Sequence, residues 1–438
     1  MDASGNPKLP DASSMDYGEI AVNYAAGAET LSIKNSSNEI VTFSSDNSSG
    51  GGSVNTNIDN DDEIYYIKLS NIATDSACMI TESPNIKSRQ VIEDIRNNSH
   101  RYLGKYIQSA DTMYLCQLDD DNSELFANDG SSADLTGTHG DVFMKLPRFY
   151  YRSLYDGNGW KIYFSFKKPS DKWKCWYGND LIGAFKSTGY VGDNTDIFYA
   201  SSVKSSKRAM SAATYNNSVS KVLYRFEGVS HKKHGKSVTW KQHCMMAILF
   251  YAYYLDTYFI KICGSGETSH CGSQLSMIDT TSSNGNSTNG TNFWGLEDWC
   301  SSIYEWIYDF NYNDSSKYLE ETTYDEITGD DLSKRILCSP VGKCENISKL
   351  YIGENLDITP YDLTSAITPC GYCSYYDSAG NELFRGGQGY EQSSLAALRT
   401  ISHYNQETYR GFRISYVGPW EEIKSPTDFK AIRGFKNT

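Results

Sequence analysis

Long apolar runs are missing from this 438-residue chain. The best of them, Met245-Met246-Ala247-Ile248-Leu249-Phe250, has the length of a buried core element and falls far short of the roughly 18 residues of a membrane span. Clustered positive charge is scarce as well. The 40 Lys and Arg are outnumbered by 54 Asp and Glu, which are scattered rather than gathered in a tail, for a formal net charge of −14. Nucleic acid and anionic membranes need grouped Lys and Arg, so neither is expected as a partner and no membrane insertion is expected. The one basic stretch, within residues 225–236 and centred on His231-Lys232-Lys233-His234, is short and reads as a solvated loop. The start, Met1-Asp2-Ala3-Ser4-Gly5, has neither a basic region nor an apolar one, so no secretory signal is expected. The 11 cysteines are an odd count at irregular spacing, which points to mostly free, buried thiols rather than a disulfide framework. Cys370-Gly371-Tyr372-Cys373 is a single CxxC with no second pair, too little for a zinc site.

Tyrosine, by contrast, is abundant at 34 residues. It favours strands, and it also supplies broad amphipathic contact area in recognition surfaces; both readings stay open. The length allows two or three domains. Residues 1–53 read as a small β module: Gly18-Glu19-Ile20-Ala21-Val22-Asn23 and Leu31-Ser32-Ile33-Lys34 alternate at period 2, and Ile40-Val41-Thr42-Phe43 adds a third strand. So few short strands bury little surface alone, so this module should dock on a partner or trimerise. Residues 44–53 (SSDNSSGGGS) form a flexible linker and mark a boundary.

Beyond it, residues 54–140 read as a connecting α+β region. It holds a strand at 63–69, a helix over 87–100 with Val91, Ile92 and Ile95 on one face, and a turn at Asp119-Asp120-Asp121-Asn122. Residues 141–438 are expected to form one larger domain. It opens with short aromatic strands and has a helix over 239–254 with Ala247, Phe250, Tyr251 and Tyr254 on one face. Residues 280–292 (TTSSNGNSTNGTN) read as a polar surface loop.

Three marks then follow in order: Phe293-Trp294-Gly295-Leu296 with Ile303-Tyr304-Glu305-Trp306, Arg385-Gly386-Gly387, and Arg410-Gly411-Phe412-Arg413. Trp294 and Trp306 can wall a core, and Gly386, Gly387 and Gly411 permit close chain approach. Glu305 lies between apolar neighbours and needs a partner if buried, for which Arg385 or Arg413 is suited. This ordered set resembles the C-type-lectin-like fold shared by the formylglycine-generating family and the variable proteins of diversity-generating retroelements. The resemblance implies that Trp294, Gly295, Glu305, Trp306, Arg385, Gly386, Gly387, Gly411, Phe412 and Arg413 are scaffold. It also implies that the interval 388–409 is the displayed face, with Tyr390, Glu391, Gln392, Ser393, His403, Tyr404, Asn405, Gln406 and Tyr409 as contact residues.

Formylglycine-generating enzymes carry a redox-active cysteine pair in the interval between the second and third marks. Here that interval has none, and no acid–base pair or triad is readable elsewhere, so neither catalysis nor a cofactor is expected.

The segment Gly18-Glu19-Ile20-Ala21-Val22-Asn23 with its two following strands resembles the opening of tailed-bacteriophage fibre proteins, where it attaches the chain to the virion. Patches such as Leu146-Pro147-Arg148-Phe149-Tyr150-Tyr151 and Leu181-Ile182-Gly183-Ala184-Phe185-Lys186 are similar to fibre sequences of phages of gut bacteria, of the Bacteroides type. These resemblances imply a non-enzymatic virion protein. It would be assembled in the host cytoplasm, anchored to other virion proteins through its N-terminal module, homotrimeric, and directed at a bacterial surface glycan or protein. The alternatives are a purely architectural fibre or decoration protein and an oxidative modifying enzyme of the formylglycine type. The expected fold class is α+β, a small N-terminal β module followed by a C-type-lectin-like domain with irregular loops.

Overall fold

Alternating apolar and polar residues in short runs favour strands, and strands dominate the chain, with a few helices among them. The computed structural model describes residues 16, 20–23, 30–34, 40–44, 58–70, 79–191, 198–205, 222–224, 229–230, 234–257, 259–264, 271–281, 290–299, 304–313, 318–324, 331–338, 344–353, 355–364, 372–374, 382–385, 398–400, 410–411 and 413–434. Two units are separable, Met1–Ile58 and Asp59–Thr438. The first contains a three-stranded antiparallel meander, Ile20–Asn23, Thr30–Lys34 and Ile40–Ser44. Gly18 and Glu19 of the expected anchor lie outside the described residues, as does most of the linker; Ile20, Ala21, Val22 and Asn23 form the first strand.

In the second unit a five-stranded sheet runs in the order Lys174–Trp176, Phe149–Tyr155, Gly159–Ser165, Tyr65–Ser70 and Met79–Glu82. A seven-stranded sheet runs Gly235–Ser237, Ile414–Val417, Asp180–Gly183, Asp141–Lys145, His100–Ile107, Thr112–Gln117 and Trp420–Glu422. Both sheets take strands from before and after residue 140, so a division drawn there runs through the two of them. Further sheets include a small one starting at Thr188–Val191 and a large one built around Tyr304–Asn313 and Glu382–Arg385.

Helix α1 (Arg89–Asn97) buries Val91, Ile92 and Ile95, the face its spacing marks. It stops short of residue 100, because His100 already opens a strand whose next seven residues are buried. Helix α2 (Trp240–Tyr254) starts at a capping box: Thr239 Oγ1 accepts from the Gln242 N–H, and the Gln242 side chain accepts from the Thr239 N–H at 3.0 Å. One buried face was expected of it. Instead every residue from Gln242 to Ala252 is buried while Tyr254 is only half-buried, since α2 fills the middle of the main core. A helix apolar all round belongs inside a protein.

A short α3 (Phe259–Cys263) and a C-terminal α4 (Pro426–Ala431) follow. Among the described residues no helix is long and apolar enough to cross a membrane. Cys116, Cys175 and Cys271 are free thiols, and Cys244 in α2 accepts from the Ile358 N–H at 3.3 Å.

Two loop expectations are corrected. The end of the basic stretch is a strand, Gly235–Ser237, paired antiparallel with Ile414–Val417; His234 just before it packs on Tyr416 and faces Asp111 at 3.1 Å. Thr291 and Asn292, at the end of the polar 280–292 stretch, are buried. Asn292 is held there by Arg101 and by the Ile278 carbonyl, 3.2 and 3.0 Å away. Asp119 does form a turn, its Oδ1 accepting from the Asp121 and Asn122 N–H groups.

Because α2 is enclosed on all sides, Leu249→Ala should lower unfolding free energy by about 2–5 kcal/mol. Thr239→Ala, which removes only the cap, should cost about 1 kcal/mol. Urea unfolding followed by tryptophan fluorescence measures both, and equal effects would contradict this placement of the helix.

Candidate functional site

The register of three strands brings the three sequence marks together. Glu305 lies opposite Arg385 in an antiparallel pair, and opposite Gly411 in a parallel pair on its other side. Arg413, two residues beyond Gly411, donates from Nε to Glu305 Oε1 at 3.0 Å across 108 residues of sequence. Lys186 Nζ stands 3.4 Å from the same oxygen, and Arg385 Nη2 stands 3.7 Å from Oε2. All four side chains are buried, at 2% exposure or less.

One carboxylate thus faces three cations in the interior. Burial alone would raise the Glu305 carboxyl; Lys186, Arg413 and Arg385 outweigh it and hold the group below the usual carboxylate range. The cations also spread their charge over main-chain oxygens. Arg413 donates to the carbonyls of Gly183 and Ala184, each at 2.8 Å, and of Glu297 at 2.5 Å. Arg385 donates to the Trp299 carbonyl at 3.3 Å, and its guanidinium lies 3.9 Å from the centroid of the Trp299 ring. Against the Trp299 ring packs His243 of α2, centroids 5.0 Å apart.

A second buried group adjoins the first. The Glu297 carboxylate accepts from the N–H groups of Gly272 and Gln274, at 2.9 and 2.7 Å. Burial, with Asp298 alongside, pushes its carboxyl up to about 7. Arg101, fully buried, donates to the Gly295 carbonyl at 2.7 Å and the Gln274 carbonyl at 2.5 Å. Gly295 itself sits at φ +81, a conformation that side chains other than glycine's rarely adopt, and a Cβ there would also push aside the end of the Met277 side chain, 2.7 Å away. Trp294 beside it is fully buried and packs edge-on to Tyr253 at 5.5 Å.

Of the scaffold residues expected from sequence, Trp294, Gly295, Glu305, Arg385, Gly411 and Arg413 are therefore buried in or beside this cluster. Trp306 lies in the Tyr304–Asn313 strand, and its side chain is outside the described residues. Gly386, Gly387 and Phe412 are outside them too. So are all the expected contact residues: Tyr390, Glu391, Gln392, Ser393, His403, Tyr404, Asn405, Gln406 and Tyr409. Within 388–409 the described part is the strand Leu398–Thr400, paired with Glu382–Arg385. Sequence reading missed Lys186, Arg101, Glu297 and His243. Lys186 and Arg101 did leave a signal, a cation adjoining an apolar strand; His243 left none, being one polar residue in an apolar helix.

No family model matches the chain, and no curated protein matches it.

His243 makes the cluster sensitive to acid. Both its ring nitrogens are buried without a hydrogen-bond partner, and burial together with Arg385, Arg413 and Lys186 keeps its pKa well below 6.5. A histidine held neutral in the fold but free to protonate when unfolded contributes stability that is present above about pH 6.5 and lost as pH falls below it. His243→Leu should therefore flatten the decline in urea midpoint between pH 7 and pH 5 relative to the unsubstituted chain. Parallel curves for the two proteins would rule out His243 as the source.

Proposed function

We propose that this chain is a non-enzymatic bacteriophage virion fibre protein that displays a C-type-lectin-like domain for binding a receptor on the host surface. The observation that carries the reading is the shared carboxylate. Arg385 opens the interval that ends at Arg413, and both arginines meet Glu305. A segment pinned at both ends to one buried group can vary in its middle without loosening its frame, which is what a recognition surface on a rigid scaffold needs. In this reading residues 388–409 contact the receptor, with Tyr404 and Tyr409 as aromatic anchors. The N-terminal meander joins the chain to other virion proteins, and three copies associate through it, since three strands of four or five residues bury little alone. The receptor is a bacterial surface glycan or protein, and the protein acts outside the host after release with the particle.

Tyr404→Ala and Tyr409→Ala should each reduce adsorption of particles to host cells by about ten-fold or more, with particle yield and composition unchanged. Intact particles that adsorb normally would leave the architectural reading in place and overturn the recognition one. The purified chain should run as a trimer in mass photometry; a monomer at micromolar concentration would contradict the assembly.

A further inference from the structure

Where the second unit begins, the chain reads Ile58-Asp59-Asn60-Asp61-Asp62-Glu63, four acids in six residues with no apolar side chain between Ile58 and Ile64. Its first three residues form a 3-10 turn, and the rest lead into the Tyr65–Ser70 strand of the five-stranded sheet. A segment of this composition cannot hold itself down by apolar burial. Three of its carboxylates fasten it instead, each on a lysine. Asp59 takes Lys161 at 2.5 Å and accepts from the Tyr163 hydroxyl at 3.0 Å, both in the neighbouring Gly159–Ser165 strand. Asp62 faces Lys87 at 3.2 Å and accepts from the Asn85 carboxamide at 2.7 Å, at the turn that precedes α1. Glu63 meets Lys167, just beyond the Gly159–Ser165 strand. Asp61, the fourth acid, turns back on the segment itself, its Oδ1 accepting from the Glu63 N–H at 2.8 Å.

The sheet has its own need of Asp59. Lys161 lies directly opposite Lys68 in the register, and like charges facing each other across a ladder repel. Lys68 is met by Asp156, 2.6 Å away in the loop that joins two strands of the same sheet, whereas Lys161 takes Asp59 from the incoming segment. The three fastening carboxylates are 30, 54 and 57% exposed, so dissolved ions reach them. Exposed pairs of this kind each hold by a few-fold at most, and salt weakens them. The buried Glu305 group, at 2% exposure, is screened far less by the same ions.

We propose that residues 58–63 form a salt-releasable strap, closed at low ionic strength by Lys161, Lys87 and Lys167 and opened when those pairs are screened, with the rest of the unit still folded. Ile64, buried at 2% exposure, stays in place as the anchor. Opening frees the six residues ahead of it, about 20 Å of chain when extended, so the strap sets how much free chain leads into the second unit. The inference rests on the ion pairs and not on the virion reading.

Hydrogen exchange followed by mass spectrometry on the full chain tests it, over the peptide 58–64 and, as a control, over α2. Raising sodium chloride from about 0.02 M to about 1 M, where the screening length falls to about 3 Å, should speed exchange in 58–64 about ten-fold and leave α2 unchanged. Asp59→Asn, which removes the charge and keeps the shape, should speed it about three-fold at low salt and shrink the salt response. Lys87→Gln, at a side chain 78% exposed, should act in the same direction to a smaller extent, and tests the strap even where the Asp59 substitution disturbs the turn. Exchange in 58–64 that ignores salt overturns the proposal. So does acceleration shared equally by α2, which would mark loosening of the whole unit, and so do two variants that exchange like the unsubstituted chain at low salt.

Discussion

The second unit depends on one buried anion. Glu305 lies out of water with three cations around it, and removing the carboxylate would leave all three buried without their shared counter-charge. The cost of dehydrating four charged groups is offset only because the geometry spreads it. Arg413 divides its donors between the carboxylate and main-chain oxygens, while Arg385 donates to the Trp299 carbonyl and stands 3.7 Å from the carboxylate. The consequence is topological. Residues 186, 305, 385 and 413 come from four separate stretches of chain, and the carboxylate is the point where Arg413 and the strands bearing Arg385 and Gly411 are fastened to the Tyr304–Asn313 strand.

That fastening links fold to function in the proposed reading. Recognition is assigned to a polar, aromatic interval that has no sustained period and few apolar residues to fix it from within. A segment of that kind needs its ends held, and the frame holds them through Arg385 and Arg413. The floor under the frame is α2, packed all round, with His243 facing Trp299 and so in line with the arginines. Two buried polar layers, Glu305 with its cations and Glu297 with Arg101 near it, thus sit on an apolar core. They specify which strands meet, a task that apolar contacts alone perform loosely.

Much of this was legible in the sequence, for identifiable reasons. Period-2 alternation marked the N-terminal strands, and helical spacing marked Val91, Ile92 and Ile95 in α1. The isolated glutamate at 305 announced a buried pair and narrowed its partners to two arginines, both of which it has. Three things were hidden. The partnership of Lys186 depends on a contact with a residue 119 positions away, which no local pattern encodes. The enclosure of α2 reads as amphipathic until its second face is seen to be covered. The burial of Thr291 and Asn292 is hidden by their polar setting, because a long-range bond from Arg101 to Asn292 and a nearer one from the Thr291 N–H to Asp298 override composition there. The division near residue 140 follows a change in local texture, while the sheets ignore it.

The central claim, that Glu305 fastens the interval's far end through Arg413, is tested most directly by a thermodynamic cycle on that pair. Glu305→Leu, Arg413→Leu and the double variant would be compared by urea unfolding. The account predicts that each single change costs about 3–5 kcal/mol, and that the double change costs far less than their sum, since once Glu305 is gone Arg413 has no carboxylate left to hold. Costs that add to within about 0.5 kcal/mol would show two independent side chains and contradict it.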